Sequence, residues 1–163
     1  MANKIIGQRL SDTTKGALTK LVLVSDGTNE ANTTVIDVST LRFALNTDGK
    51  IMTANVNPKT QYRTTIKRIM GSTKANGCIR LQWHGAANSE IVTLGNGWFD
   101  YNFENMLSGG SISNPESGSS GDILITTTNM AAGDCATIFI DQRKDNGDYD
   151  AGQTADPYAF NRG

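Results

Sequence analysis

The chain is punctuated far more strongly than it is patterned. Short β-branched runs recur along it, and each is closed by a dipeptide or tripeptide that forces a bend. Lys20-Leu-Val-Leu-Val-Ser25 ends at Asp26-Gly27, Asp48-Gly49 follows a second apolar segment, and Asn76-Gly77 and Gly95-Asn96-Gly97 separate later ones. Turns of this kind need residues that tolerate positive φ or bond to their own backbone, which Gly, Asn and Asp do. Sustained helical periodicity is missing, so the pattern predicts an all-β fold: a single antiparallel β-sandwich, jelly-roll-like, with extended N- and C-terminal arms.

The strands can be placed. Residues 20–25 form the first, and Thr34–Val38 a second. Ser39–Leu45 reads either as strand or as one helical turn capped by Ser39. From Tyr62 to Met70, strict alternation would put Tyr62, Thr64, Ile66, Arg68 and Met70 on one face. Asn76-Gly77 is expected to close a hairpin into Cys78–His84, with Ile79, Leu81 and Trp83 inward and Arg80, Gln82 and His84 outward. Residues 90–94 and 98–103 are expected to form a second hairpin around Gly95-Asn96-Gly97. The stretch 108–121, rich in Ser and Gly, has little to bury and reads as a long exposed loop. Two further strands, Asp122–Thr128 and Cys135–Asp141, are too few for a domain of their own and must return to the earlier sheets. One domain spanning 1–163 follows, with residues 1–19 as an N-terminal arm, 20–141 as the β core and 142–163 as a C-terminal tail. Tyr149, Tyr158 and Phe160 in that tail need burial, on their own domain or on a neighbouring subunit.

A chain of 163 residues can bury enough surface to be stable without metal or disulfide. Its formal net charge of −1 lacks the basic excess that drives non-specific nucleic-acid binding or attraction to anionic membranes. The N-terminus offers only Ile5-Ile6 before Gly7-Gln8-Arg9, so no secretory signal is expected there, and no run approaches the ~20 apolar residues of a membrane-spanning helix. Cys78 and Cys135 lie more than fifty positions apart, without metal or redox spacing, and read as small buried side chains. They would pair only if their strands adjoin.

Groups that carry chemistry are scarce. Thr, Asn, Ser and Gly make up roughly two-fifths of the chain, and His84 is its one histidine. Any Ser-His-Asp or Cys-His arrangement must run through His84, which is predicted to be solvated at a strand end. Glu90, Glu104 and Glu116 show no pairing that would set two carboxylates to work together. Asp145, Asp148 and Asp150, with Asn146, are a weak calcium candidate, since the glycine is misplaced for an EF-hand and no closing glutamate follows. A turn at Asn146-Gly147 with solvating carboxylates explains the same residues. Trp83, Trp98, Phe99 and Tyr101 form a sugar-stacking platform only if coplanar and exposed; alternating aromatics more often point into a core. Arg63, Lys67 and Arg80 are candidates for a protein contact or for solubility. No catalytic residue and no cofactor is expected.

The segments Val24–Asp37, Tyr62–Arg68, Leu81-Gln82-Trp83 and Asp148–Gly152 resemble small virion structural proteins of tailed bacteriophages, especially those infecting marine cyanobacteria. The resemblance implies a non-enzymatic capsid decoration or cement protein, assembled in the host cytoplasm and resident in the virion. Its partners would then be the major capsid protein, copies of itself, or both. A neck or tail component is the next expectation, and a carbohydrate-binding host-adsorption module the one from a different class.

Overall fold

The computed structural model describes residues 2–52, 57–106, 109–115 and 118–150. Two antiparallel sheets pack face to face. In chain order the strands are β1 (Lys4–Asp12), β2 (Gly16–Asp26), β3 (Thr33–Ile36), β4 (Thr64–Lys74), β5 (Cys78–Trp83), β6 (Ser89–Leu94), β7 (Gly97–Asn102), β8 (Ile112–Ser113), β9 (Ile123–Thr128) and β10 (Ala132–Lys144). The larger sheet runs β1-β2-β10-β4-β7, with β8 against the start of β4; the smaller runs β3-β9-β5-β6. Setting aside β1 and the two-residue β8, the eight remaining strands alternate between sheets except at the central β5–β6 pair, as in a jelly roll, with first and last, second and penultimate strands paired.

That topology corrects several sequence expectations. Asn76-Gly77 does not close a hairpin: β4 and β5 belong to different sheets, so this turn carries the chain across the sandwich. Gly95-Asn96-Gly97 likewise crosses between sheets, from β6 to β7. The same-sheet hairpins are β1–β2 and β5–β6. The N-terminal arm is instead an edge strand, because Lys4–Asp12 pairs with β2 almost throughout. At the other end β10 continues past residue 141 to Lys144, where Gln142 and Lys144 still point inward.

The imperfect alternation of β4 also has a physical cause. Asp141 pairs with Arg68 and Gln142 with Ile66, leaving Lys67 as the extra residue of a β-bulge. The bulge exchanges the faces: Thr64 and Ile66 point inward before it, Ile69 after it, and Arg68 and Met70 turn outward. The expected common face for Tyr62 through Met70 therefore breaks at Lys67.

Leu21, Leu23, Ile66, Ile69, Ala136, Ile138 and Ile140 from the larger sheet meet Ile36, Ile79, Leu81, Trp83, Ile123 and Ile125 from the smaller. Full burial of each large aliphatic side chain contributes about 1.5–3 kcal/mol against the entropy of ordering the chain. Ile79, Leu81 and Trp83 point inward as expected, but Gln82 on the opposite face is buried too, beside a more deeply buried Leu124.

Between β3 and β4 the chain forms a 3-10 turn, Val38–Thr40, capped by Asp37 rather than Ser39. The Asp37 carboxylate accepts from both the amide and the hydroxyl of Ser39. Within 108–121, the described part is not simply exposed. Ile112 joins the core rim, Ser119 is buried with its hydroxyl donating to the His84 carbonyl, and Gly121 sits at φ +92°. A side chain at Gly121 would collide with the Tyr62 carbonyl oxygen.

Candidate interaction surface

The strand registers determine what the larger sheet shows to solvent. Reading from β1 to β7, one row is Ile6, Val22, Thr137, Ser72, Trp98, and the next is Gln8, Lys20, Phe139, Met70, Asp100. On the other side of the first row lie Lys4, Val24, Cys135 and Lys74. These residues alternate with the core residues of the same strands, so they occupy the face turned away from the smaller sheet. Trp98 is 77 % exposed, Ile6 45 % and Val24 41 %. With Val22, Phe139 and Met70 half-buried among them, they make a largely apolar band across the sheet, interrupted by Thr137 and Ser72 between Val22 and Trp98.

One end of this face is tied by charge. The Arg68 guanidinium grips Asp100 with two hydrogen bonds, at 2.8 and 2.5 Å, and Lys67 reaches Glu104 at 2.8 Å. Arg68 holds the Asp100 carboxyl below its ordinary pKa. Lys67, a residue proposed from sequence, is therefore already partnered within the chain. Arg80 pairs with Glu90 at 3.2 Å on the smaller sheet, away from the apolar band.

Arg63 belongs to a third place, the end of the sandwich. Its Nε donates to Asp148 at 2.8 Å, its backbone amide donates to the same carboxylate oxygen, and Lys59 donates to the other oxygen at 3.1 Å. Burial pushes the Asp148 carboxyl up, but the hydrogen bonds from Arg63 and Lys59 outweigh it and hold the group below the ordinary carboxylate range. Asp145 accepts from the Gly147 amide at 2.8 Å and pairs with Arg63 at 3.2 Å, while Asp150 is buried. Asp145 and Asp148 thus serve a turn and an ion-pair network; among the described residues no group of three acidic, histidine or cysteine side chains is arranged to hold a metal ion.

Tyr149 is fully buried in its own domain. Its hydroxyl donates to the Val38 carbonyl at 2.8 Å and its ring lies 5.7 Å from that of Tyr62. Burial raises its pKa well above the ordinary phenol value. Tyr158 and Phe160, the other two aromatic candidates, lie outside the described residues, as does Glu116.

The sugar-stacking platform does not assemble. Trp83 points into the core from the smaller sheet at 1 % exposure, Phe99 and Tyr101 stack along the core side of β7, and Trp98 alone faces outward. His84 is exposed, with Nδ1 3.0 Å from the Ser120 hydroxyl, which also accepts from the Asp122 amide. Cys78 and Cys135 are both free, on different sheets.

The apolar band was not singled out in the sequence, although a signal for it exists. Leu21-Val-Leu-Val24 and Ile138-Phe-Ile140 are apolar in both phases of the strand, as expected of strands with two covered faces. Comparison with protein-family models, with curated proteins and with solved structures finds no match to this chain.

Proposed function

We propose that this chain is a non-enzymatic structural protein of a tailed-phage virion, decorating or cementing the capsid through contacts with the major capsid protein, with copies of itself, or with both. The observation that carries the reading is the apolar outer face of the larger sheet, which Trp98, 77 % exposed, shares with Met70 and Phe139. Large apolar groups gathered on one face of a protein mark a surface that is covered in use. The sequence resemblance to small virion proteins points the same way, and a jelly roll is an architecture that virion shells and many unrelated proteins share. A lattice offers many equivalent sites, so modest affinity per copy suffices for full occupancy.

Quantitative protein composition of purified particles tests the reading. A copy number comparable with that of the major capsid protein supports decoration. A handful of copies per particle would place the chain at the neck or tail, and absence from the particle would overturn the proposal.

A further inference from the structure

We infer that the outer face of the larger sheet is the docking surface of this protein, and that its occupant is a protein surface with an apolar centre ringed by carboxylates. The inference rests on the structural role proposed above and specifies its partner.

Four inter-strand steps separate Ile6 from Trp98, so the band is about 19 Å across. Two further rows bound it. A band of that width supplies the middle of a contact, whereas a standard interface covers about 800 Å² per partner. The surrounding side chains must therefore be included, and three of them, in the two bounding rows, are lysines. Lys4 and Lys74 stand at the two ends of the row that holds Val24 and Cys135, and Lys20 stands between Gln8 and Phe139. None of the three takes part in any of the ion pairs among the described residues. The carboxylate facing outward from β7, Asp100, is already taken by Arg68. Three lysines thus flank the band outside every one of those ion pairs, in a chain whose net charge is −1.

This charge pattern selects among occupants. A second copy docking face to face would bring lysine borders towards lysine borders, and like charges across an interface cost several kcal/mol. An anionic membrane presents phosphates at every position and would set them against Asp141, an outward carboxylate in none of those ion pairs, whereas a protein partner places its carboxylates selectively. Carboxylates on a protein partner can instead lie opposite Lys4, Lys20 and Lys74 while its apolar centre meets Trp98, Met70 and Val22. Trp98 has the marks of an anchor: large, rigid and solvent-facing until covered.

The test uses the full chain and particles assembled without it, with binding followed by co-sedimentation. One variant carries Trp98→Ser and Val24→Ser, a second carries Lys4→Glu, Lys20→Glu and Lys74→Glu, and a third, Thr128→Ala, alters the smaller sheet. Thermal melting checks that each is folded. The first two variants are expected to bind roughly tenfold or more weaker, the third to match the parent, and added salt to weaken the parent more than the charge-reversed variant. Parent and both surface variants binding equally would overturn the docking face while leaving the structural role intact. A parent that binds no particle would overturn the structural role and the inference with it. Dimerisation abolished by Trp98→Ser, or lysine-dependent sedimentation with phosphatidylserine vesicles, would show the wrong occupant had been assigned.

Discussion

The Lys144 ammonium lies 2.5 Å from the Asp12 carboxylate, 132 positions earlier in the chain, and the lysine side chain has no exposed surface at all. Its other two protons go to the carbonyls of Thr13 and Arg42, both at 2.7 Å, and the rings of Phe43 and Tyr149 flank it at 5.6 and 5.2 Å. Three donors meet three acceptors, which is what makes a buried ammonium tolerable. Burial pulls its pKa down, and the Asp12 carboxylate opposes that pull. The contact joins β10, the β1–β2 turn and the chain between β3 and β4, so it closes one end of the sandwich.

Lys144→Ala is predicted to destabilise the fold by about 3 kcal/mol, because it takes the donor from two carbonyls and from Asp12 Oδ1, leaving that carboxylate only Arg9 and the Arg42 amide on its other oxygen. Asp12→Ala should cost a similar amount, and the double variant much less than the sum of the two. Urea denaturation of the four proteins measures this coupling; additive losses would show that the two groups act independently.

Asp148 makes the fold acid-sensitive. Its folded pKa lies below the unfolded value, so the stabilisation is complete above the ordinary aspartate value of about 3.9 and is lost as pH falls through the lower, folded value. Arg63→Ala removes the guanidinium donor and should flatten this acid limb. Melting temperature against pH, for parent and variant, reads the difference.

The alkaline limb belongs to the buried tyrosines. Tyr62 and Tyr149 both have raised pKa values because burial disfavours the phenolate. Their contribution is intact below about pH 10 and is lost as pH rises above it, since the unfolded chain releases those protons first. Ultraviolet titration should show Tyr149 ionising only together with cooperative unfolding, and a Tyr149→Phe variant should show a smaller coupled absorbance step, the remainder belonging to Tyr62.

The two tryptophans should separate optically. Trp83, at 1 % exposure, is predicted to emit to the blue and resist acrylamide, whereas Trp98 emits to the red and is quenched freely. Trp98→Phe should leave only the blue, protected component. Binding of the parent to its partner should shift the red component and leave the blue one unchanged.

How far the sequence was legible depended on distance along the chain. Strand content and the inward set Ile79, Leu81, Trp83 were readable because side-chain alternation is local. The Asn76-Gly77 turn was readable as a bend but not as a crossing between sheets, because a dipeptide reports its own φ and ψ and not where the next strand pairs. The β4 bulge at Lys67 appeared only as broken alternation. Lys4–Asp12 looked polar because an edge strand with one face outward carries few apolar residues, and its partner, β2, decided its structure. The Lys144–Asp12 pair left no local mark, since 132 residues separate its halves. The candidate surface was half legible: doubly apolar stretches such as Ile138-Phe139-Ile140 announce a second covered face, but only the register aligns Ile6, Val22 and Trp98 in one row.

Electron cryomicroscopy of the intact particle, with this chain located in the density, tests the central claim most directly. The account predicts copies on the shell with the β1-β2-β10-β4-β7 sheet turned towards the capsid and Trp98 at the contact. Copies seated on the shell through the opposite sheet, or a particle containing none, would contradict it.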